Sequence, residues 1–134
     1  MQRLDPYHIQ PAYISGRLLA LLEEIQRRAA GGKLNTTLVD RFYGVAATAP
    51  AATFGPLLKL AETAHLPKIR RENRGIGRMK EVLGEIMNRL DEAGGFPRTL
   101  SLQSQGEFAL GFYHQRAALA YKEPAKEENQ GGAA

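Results

Sequence analysis

Hydrophobic residues recur at intervals of three and four along most of this chain, which is the spacing of amphipathic helices. The first such stretch is followed by the helix-ending pair Gly31-Gly32. Two Glu–Arg pairs spaced four residues apart support its outer face. We therefore predict a helix from about Pro11 to Ala30. Its apolar stripe consists of Ile14, Leu18, Leu21, Leu22 and Ile25.

The stretch from Asn35 to Pro50 contains a helix start, a helix body and a forced break. It opens with three residues whose side-chain oxygens can cap a first helical turn. Pro50 pushes the residue before it out of the α region and is well suited to open the next helix. We interpret this apolar stretch as the central element of a helical bundle. Its stripe is formed by Leu38, Phe42 and Val45, with Val39, Tyr43 and Ala46 beside it.

A third apolar pattern follows Pro50 and continues towards His65. Pro56 lies more than one turn inside it, so this proline should bend the helix or mark its true start. Pro67 is a second bending point, and Asn73 and Gly75 signal a helix end. The apolar face is expected to contain Phe54, Leu57 or Leu58, Ala61 and Ala64.

Two further helices are predicted in the second half of the chain. Residues 76–92 have an amphipathic pattern that ends at two glycines. Ser101 can cap a last helix, from Leu102 to about Lys122, which is apolar on most sides and is therefore expected to be buried. Gly106 and Gly111 would each weaken it by about 1 kcal/mol relative to alanine. We expect both glycines to permit close packing against a neighbouring helix.

These patterns together predict an all-α fold, a compact bundle of about five helices joined by short loops. Residues 1–122 are expected to form a single helical-bundle domain. Residues 123–134 have the composition of a disordered tail. The chain contains no cysteine, no amino-terminal apolar leader and no apolar run of membrane-spanning length. We therefore expect a cytoplasmic protein.

The positive charge of the chain is concentrated in one segment. The formal net charge is +4, whereas residues 59–80 contain seven basic and two acidic residues, a local net charge of +5. A clustered basic excess is the electrostatic footprint of a nucleic-acid partner. Cations are also favoured at a helix carboxyl end, so a solvated helix junction explains the charge equally well.

The sequence contains few residues that could form a catalytic site. His8, His65 and His114 are far apart in sequence, and none lies in a metal-binding motif. His114 is the best catalytic candidate, but Glu107 lies two turns away, too far for a direct hydrogen bond. We interpret His114 as a buried or half-buried structural histidine and expect no catalytic residue, metal or cofactor. A small helical enzyme using His114 is the alternative.

Long segments resemble the carboxyl-terminal region of the large subunit of type I-C CRISPR interference complexes. They are Asn35–Gly44, Phe54–Leu60, Tyr13–Glu23 and the run Gln105-Gly-x-Phe-x-Leu-Gly-x-Tyr-His-Gln-Arg116. The resemblance extends from about Leu4 to Tyr121. Because the chain starts with methionine where that region would begin, it resembles the separately translated type I-C small subunit.

This resemblance implies an all-α, non-catalytic subunit that packs along a guide-RNA assembly. Its implied partners are the backbone and large subunits, another small subunit, the target DNA and the guide RNA. The implied role is to hold the opened target duplex, chiefly the displaced non-target strand. Charge and placement select the candidate nucleic-acid contacts: Lys59, Lys68, Arg70, Arg71, Arg74, Arg78 and Lys80, followed by Arg17, Arg41 and Arg116.

A purely structural role is the alternative function. In that case the bundle bridges protein subunits, and its arginines meet acidic protein surfaces without touching nucleic acid. Arginine–carboxylate pairs suit such interfaces because the planar guanidinium binds a carboxylate through two parallel hydrogen bonds.

Overall fold

The computed structural model describes residues 3–120, and every regular element in this range is helical. A π-helical turn, Ala61–His65, joins α3 to α4 without interruption, so these three elements form one continuous helical rod. The described part of the chain thus contains five rods, which confirms the predicted all-α bundle. The elements are α1 (Pro11–Ala29), α2 (Leu38–Thr48), α3 (Pro50–Leu60), α4 (Leu66–Arg71), α5 (Ile76–Glu92) and α6 (Leu102–Ala120).

The predicted tail, residues 123–134, lies outside the described residues, as do the last two residues of the predicted final helix. Most helix boundaries lie within a residue or two of their predicted positions, and α5 has both predicted ends.

The apolar residues that are buried form one core cluster to which all six helices contribute. The assignment of residues 1–122 to a single domain remains a prediction.

Helix α1 is the centre of the bundle. It buries 14 of its 19 residues, whereas α2 buries three of eleven. It contacts every other helix. The interpretation of the stretch from Asn35 to Pro50 as the central element is therefore wrong. The reason is visible in α1 itself, where every residue from Ala12 to Glu23 is buried, so no side of these three turns is left for solvent.

The start and end of α2 follow the sequence signals. The Thr37 hydroxyl accepts a hydrogen bond from the Val39 amide at 3.2 Å, and the Asp40 carboxylate accepts one from the Thr37 amide at 2.8 Å. This reciprocal capping satisfies amide groups that have no partner inside the helix. Ala49, with φ −138° and ψ 69°, interrupts the helix just before Pro50 opens α3.

The predicted apolar stripe of α2 faces the core except at Val45, because Leu38 is buried and Phe42 packs against the core. Ala46 and Ala47 are buried, and Tyr43 packs edge-on against two phenylalanines of α6. Val45, which was placed in the core-facing stripe, is 50% exposed. Val39, Tyr43 and Ala46, predicted to lie beside these residues in a wide apolar stripe, also belong to or pack against the core.

Two glycines bring α1 and α6 into backbone contact. A Cβ atom on Gly111 would collide with the carbonyl group of Tyr13, and one on Gly16 would collide with the carbonyl group of Phe108 and lie 2.8 Å from the Phe112 amide. The expected close packing at Gly111 is confirmed. The expectation of close packing is wrong for Gly106, because a Cβ atom there would meet no described atom within 4 Å.

Buried polar side chains also join these helices. The Tyr13 hydroxyl lies 2.8 Å from Nδ1 of His114, and Nε of Arg17 donates to Oε1 of Gln115 at 2.8 Å. Helix α6 buries a single face, and Leu110 and Tyr113 on its other side are 49% and 46% exposed. The expectation that α6 is buried on most sides is therefore wrong.

The π-helical turn resets the register of the third rod. The core-facing residues of α3 continue from Ala61 to Leu66 and Ile69, and Ala64 is exposed, contrary to expectation. Pro56 lies inside α3 and does not mark its start. Pro67 has no N–H for a normal α-helical bond and its ring crowds the preceding turn, so a wider turn relieves both problems.

Mutation of the two α6 glycines should have opposite effects. Gly111→Ala should lower the free energy of unfolding by about 1–3 kcal/mol, because its methyl group forces α1 and α6 apart. Gly106→Ala should raise it by up to about 1 kcal/mol, because the site is open and alanine favours the helix. Denaturant unfolding of the two variants measures both values. Equal effects would contradict the close approach at Gly111.

The half-buried His65 ends the π-helical turn, and burial lowers the pKa of its imidazole below the usual 6.5, with repulsion from Lys68 adding to the effect. The folded state therefore favours the neutral ring. Its contribution to stability is present above pH 6.5 and is lost as the pH falls through the lowered pKa.

His65→Gln should consequently lose less stability than the wild type when the pH is lowered from about 7 to about 5. Denaturant unfolding at a series of pH values measures the difference. Parallel pH profiles of the two proteins would show that His65 is not linked to folding.

Candidate nucleic-acid interface

The basic segment forms the end of α4, a tight turn and the start of α5. The α4 helix ends when Asn73 adopts a φ of 56°, and the Asn73 and Arg74 amides then donate back to the carbonyl groups of Arg70 and Ile69. This two-bond closure satisfies the last carbonyl groups of the helix. Gly75, with φ 89°, then starts α5. The predicted stop signals at Asn73 and Gly75 are confirmed.

A buried apolar residue on each side of the turn leaves the neighbouring basic side chains facing outward. Ile69 on α4 and Met79 on α5 are fully buried. Their sequence neighbours therefore point away from the core on both helices. The basic side chains exposed around this turn are Arg70, Arg71, Arg74, Arg78 and Lys80.

The other predicted contacts are more dispersed. Lys59 is exposed near the end of α3, and Lys68 is half-buried on α4. Arg41 is exposed on α2, with its guanidinium 5.6 Å from the centre of the Phe42 ring. Arg116 is exposed on α6.

Arg17 cannot serve as a surface contact, which corrects its place among the candidates. Its side chain is only 2% exposed, and its guanidinium donates to both carboxylate oxygens of Glu85, at 2.5 and 3.2 Å. Nε is occupied by Gln115. Because α1 is the central helix, Arg17 lies inside the bundle although it was selected as a contact by charge and placement.

Two exposed candidates have partners within the fold. Nη2 of Arg74 lies 3.0 Å from the Glu72 carboxylate, and its Nη1 donates to the carbonyl oxygen of Arg28. Arg116 lies 3.8 Å from the buried Glu23 carboxylate. The remaining candidates form no ion pair with any residue from 3 to 120: Arg41, Lys59, Lys68, Arg70, Arg71, Arg78 and Lys80.

The folded chain brings further basic residues to this surface. Arg28, near the end of α1, donates to the Arg74 carbonyl oxygen at 3.2 Å, and Gly31 lies directly against the Arg74 guanidinium. Lys33 is exposed two residues later. Sequence reasoning missed this extension because the Arg28–Arg74 contact spans 46 residues. The only local cue was the presence of two arginines in the last turn of α1.

This arrangement suits the binding of phosphate groups. Guanidinium and ammonium groups form strong charge-assisted hydrogen bonds to phosphate oxygens, and such contacts position a nucleic acid without reading its bases. The carboxyl ends of α1 and α4 also favour cations through their dipoles, so part of the clustering is structural.

His114 serves the packing of α1 against α6. Its side chain is buried, and burial raises the pKa of its partner Tyr13 above the usual 10.0. The Tyr13 oxygen accepts a hydrogen bond from the Asp5 amide at 3.0 Å, so its single O–H is free to donate to His114. The predicted burial of His114 is confirmed. Glu107 lies instead 3.3 Å from Nε2 of His8.

Within residues 3–120, no three His, Cys, Asp or Glu side chains are grouped closely enough to hold a metal ion. None of the described helices is both long and apolar enough to cross a membrane.

Comparison with known proteins gives the family. The family described as CRISPR-associated protein (Cas_Csd1) matches residues 1–120 of the 134 residues. A search of curated proteins finds no match. The match covers all of the described helices and includes the segments that resemble type I-C interference complexes. This chain therefore belongs to the CRISPR-associated Cas_Csd1 family, consistent with a subunit of the type I-C complex.

Proposed function

We propose that this chain is a non-catalytic subunit of a type I-C CRISPR surveillance complex that stabilises opened target DNA through its exposed basic residues. The subunit packs along the guide-RNA assembly, beside backbone and large subunits and a second small subunit. It binds the phosphates of the displaced non-target strand and acts in the cytoplasm. The family match supports membership of the complex, and the basic surface supports the contact with nucleic acid.

The observation that carries this proposal is the group of exposed basic side chains around the turn between α4 and α5. Arg70, Arg71 and Arg78 are exposed and form no ion pair with any described residue. Exposed acidic residues on this turn are few, and Glu72 is already occupied by Arg74. The surface is therefore left with positive charges that the described part of the protein does not neutralise.

A small number of such contacts is enough for the proposed role. Opening a target duplex on a guide RNA is a near-balanced exchange of one duplex for another, so modest contacts to the nucleic-acid backbone shift it. Each neutralised phosphate releases counterions and adds a salt-dependent contribution to binding. A helical bundle that presents several arginines at one turn can supply this contribution without recognising a sequence.

Charge reversal at the turn tests the proposal. Arg70→Glu/Arg71→Glu should weaken binding of target DNA by the assembled complex. It should also reduce the salt slope by roughly 0.7 per lost contact on a single strand, or roughly 0.9 on a duplex. Binding measured over a range of salt concentrations gives both quantities.

The matched control is Arg3→Glu/Arg98→Glu, which reverses two exposed arginines elsewhere and gives the same net charge. The control should assemble and bind like the wild type. If both double variants weaken binding equally, only net charge matters and the turn is not the contact surface. If neither does, Arg70 and Arg71 do not bind target DNA.

A purely structural function is supported by a different observation. Helix α6 turns an apolar side outward, with Leu102 84%, Leu110 49% and Tyr113 46% exposed. Contiguous apolar surface of this kind marks protein–protein contacts. In this second candidate function, α6 packs against a neighbouring protein subunit and the arginines have no nucleic-acid partner.

Leu102→Gln/Leu110→Gln should reduce co-purification with the other subunits, because glutamine on both positions removes apolar area from the contact. The stability of the isolated chain should change by no more than about 0.5 kcal/mol, because both side chains are exposed. Leu60→Gln, on the 44% exposed leucine of α3, is the control. Normal assembly of the double variant would show that this side of α6 is not an interface.

A further inference from the structure

The carboxyl ends of α1 and α4 are closed by the same backbone geometry and meet in space. At the end of α1, the Gly31 and Gly32 amides donate back to the carbonyl groups of Arg28 and Arg27. At the end of α4, the Asn73 and Arg74 amides make the equivalent bonds. Two helix ends with negative partial charge therefore lie close together, a situation that favours cations at both.

Each end receives an arginine from the other. Nη1 of Arg28 donates to the carbonyl oxygen of Arg74 at 3.2 Å, and Nη1 of Arg74 donates to the carbonyl oxygen of Arg28 at 3.1 Å. Each of the two arginines thus donates from its guanidinium to the carbonyl oxygen of the other. We call this pair of bonds the arginine latch.

A glycine makes room for each guanidinium of the latch. A Cβ atom on Gly31 would lie 2.7 Å from Nη1 of Arg74, and one on Gly75 would lie 2.6 Å from Nη1 of Arg28. Both glycines also have a positive φ, 71° and 89°, which closes the two turns. The glycine backbone at each helix end therefore leaves the space that the arginine of the other end occupies.

Acidic neighbours compensate the two charges. The Glu24 carboxylate lies 2.9 Å from Nε of Arg28, and the Glu72 carboxylate lies 3.0 Å from Nη2 of Arg74. Each guanidinium thus holds a carboxylate with one nitrogen and a carbonyl group of the other helix end with another. Unlike Arg70 and Arg71, these two arginines are occupied within the fold.

We propose that Arg28 and Arg74 are positioning residues, and that the arginine latch joins two basic segments into one surface for a phosphate backbone. The latch fixes the turn after α4 against the end of α1, which is followed by the exposed Lys33. This inference rests on the proposed function and changes the role of Arg74 from phosphate contact to support. Without the latch, the exposed turn must be ordered when nucleic acid binds, at a cost in affinity.

Two adjacent glycines provide a matched test in the full-length chain. Gly31→Ala places a methyl group against Arg74, whereas Gly32→Ala meets no described atom within 4 Å. Both residues have a positive φ, 71° and 78°, so both alanine variants carry a similar backbone cost. Any difference between them reports the latch.

Amide hydrogen exchange of residues 72–78 is the first measurement. Gly31→Ala should accelerate exchange there relative to Gly32→Ala. Binding of an oligothymidylate single strand is the second, and Gly31→Ala should bind roughly tenfold more weakly than Gly32→Ala. Equal exchange in the two variants would overturn the latch. Faster exchange with equal affinity would overturn its positioning role.

Two substitutions that conserve charge show whether Arg74 positions the surface or contacts the phosphate directly. Arg74→Lys retains the positive charge, but a lysine cannot hold a carbonyl group and a carboxylate in one rigid fork. It should weaken oligothymidylate binding as Gly31→Ala does, whereas Arg71→Lys should bind like the wild type, because either cation serves a phosphate. If Arg74→Lys also binds like the wild type, Arg74 acts through its charge and the positioning role is wrong.

The two measurements distinguish failure of this inference from failure of the proposed function. If the wild-type chain does not bind oligothymidylate, the contact of the isolated chain with single strands fails and the positioning role fails with it. The exchange comparison still decides whether the latch exists.

Discussion

The backbone contact between α1 and α6 is the constraint from which the rest of this bundle follows. Helices approach this closely only where a side chain is missing, and Gly16 and Gly111 supply the two gaps. At that separation, polar side chains of the two helices meet across the interface. Tyr13 can meet His114, and Arg17 can meet Gln115 while extending its guanidinium to Glu85 on α5. One steric requirement thus organises three helices and a buried polar network.

This network explains why buried charge is tolerated at the centre of a small domain. An unpaired guanidinium in the core would be very costly, but Arg17 is satisfied at three nitrogens. Its partner Glu85 is 39% exposed, so the carboxylate keeps contact with water. The pair therefore avoids the full desolvation penalty of a buried salt bridge. The pair links α5 to α1.

With its middle enclosed, α1 can contribute to the surface only through its ends. Its amino-terminal side holds the lead-in segment, where His8 stacks on Tyr13 with ring centres 4.1 Å apart. Its carboxyl end reaches the turn between α4 and α5. The candidate surface is thus supported by the most buried helix of the fold, although its exposed residues lie on other rods.

Local signals in the sequence predicted the helices well. The cap-type residues before α2, Pro50, the glycines after α1 and α5, and Ser101 each act within a few residues. Their effect can therefore be read without a structure. The position of the basic cluster at a helix end was predictable for the same reason. The centre of the bundle, the burial of Arg17 and the Arg28–Arg74 contact were not, because they depend on which helices meet. Periodicity shows that a helix has an apolar face but not how many neighbours surround it.

The π-helical turn places the basic surface by means of a single extra residue. One residue corresponds to about 100° of rotation in a helix. Had the α-helical register of α3 continued through Ala61, positions 65 and 68 would follow on its buried side, and these hold a histidine and a lysine. The wider turn rotates the helix by one residue, so that Leu66 and Ile69 face the core in place of the histidine and the lysine. Deletion of one residue here would move Leu66 and Ile69 to positions 65 and 68, where a regular α-helix keeps them inward. The π-helical turn is therefore what accommodates the extra residue while the cationic side stays outward.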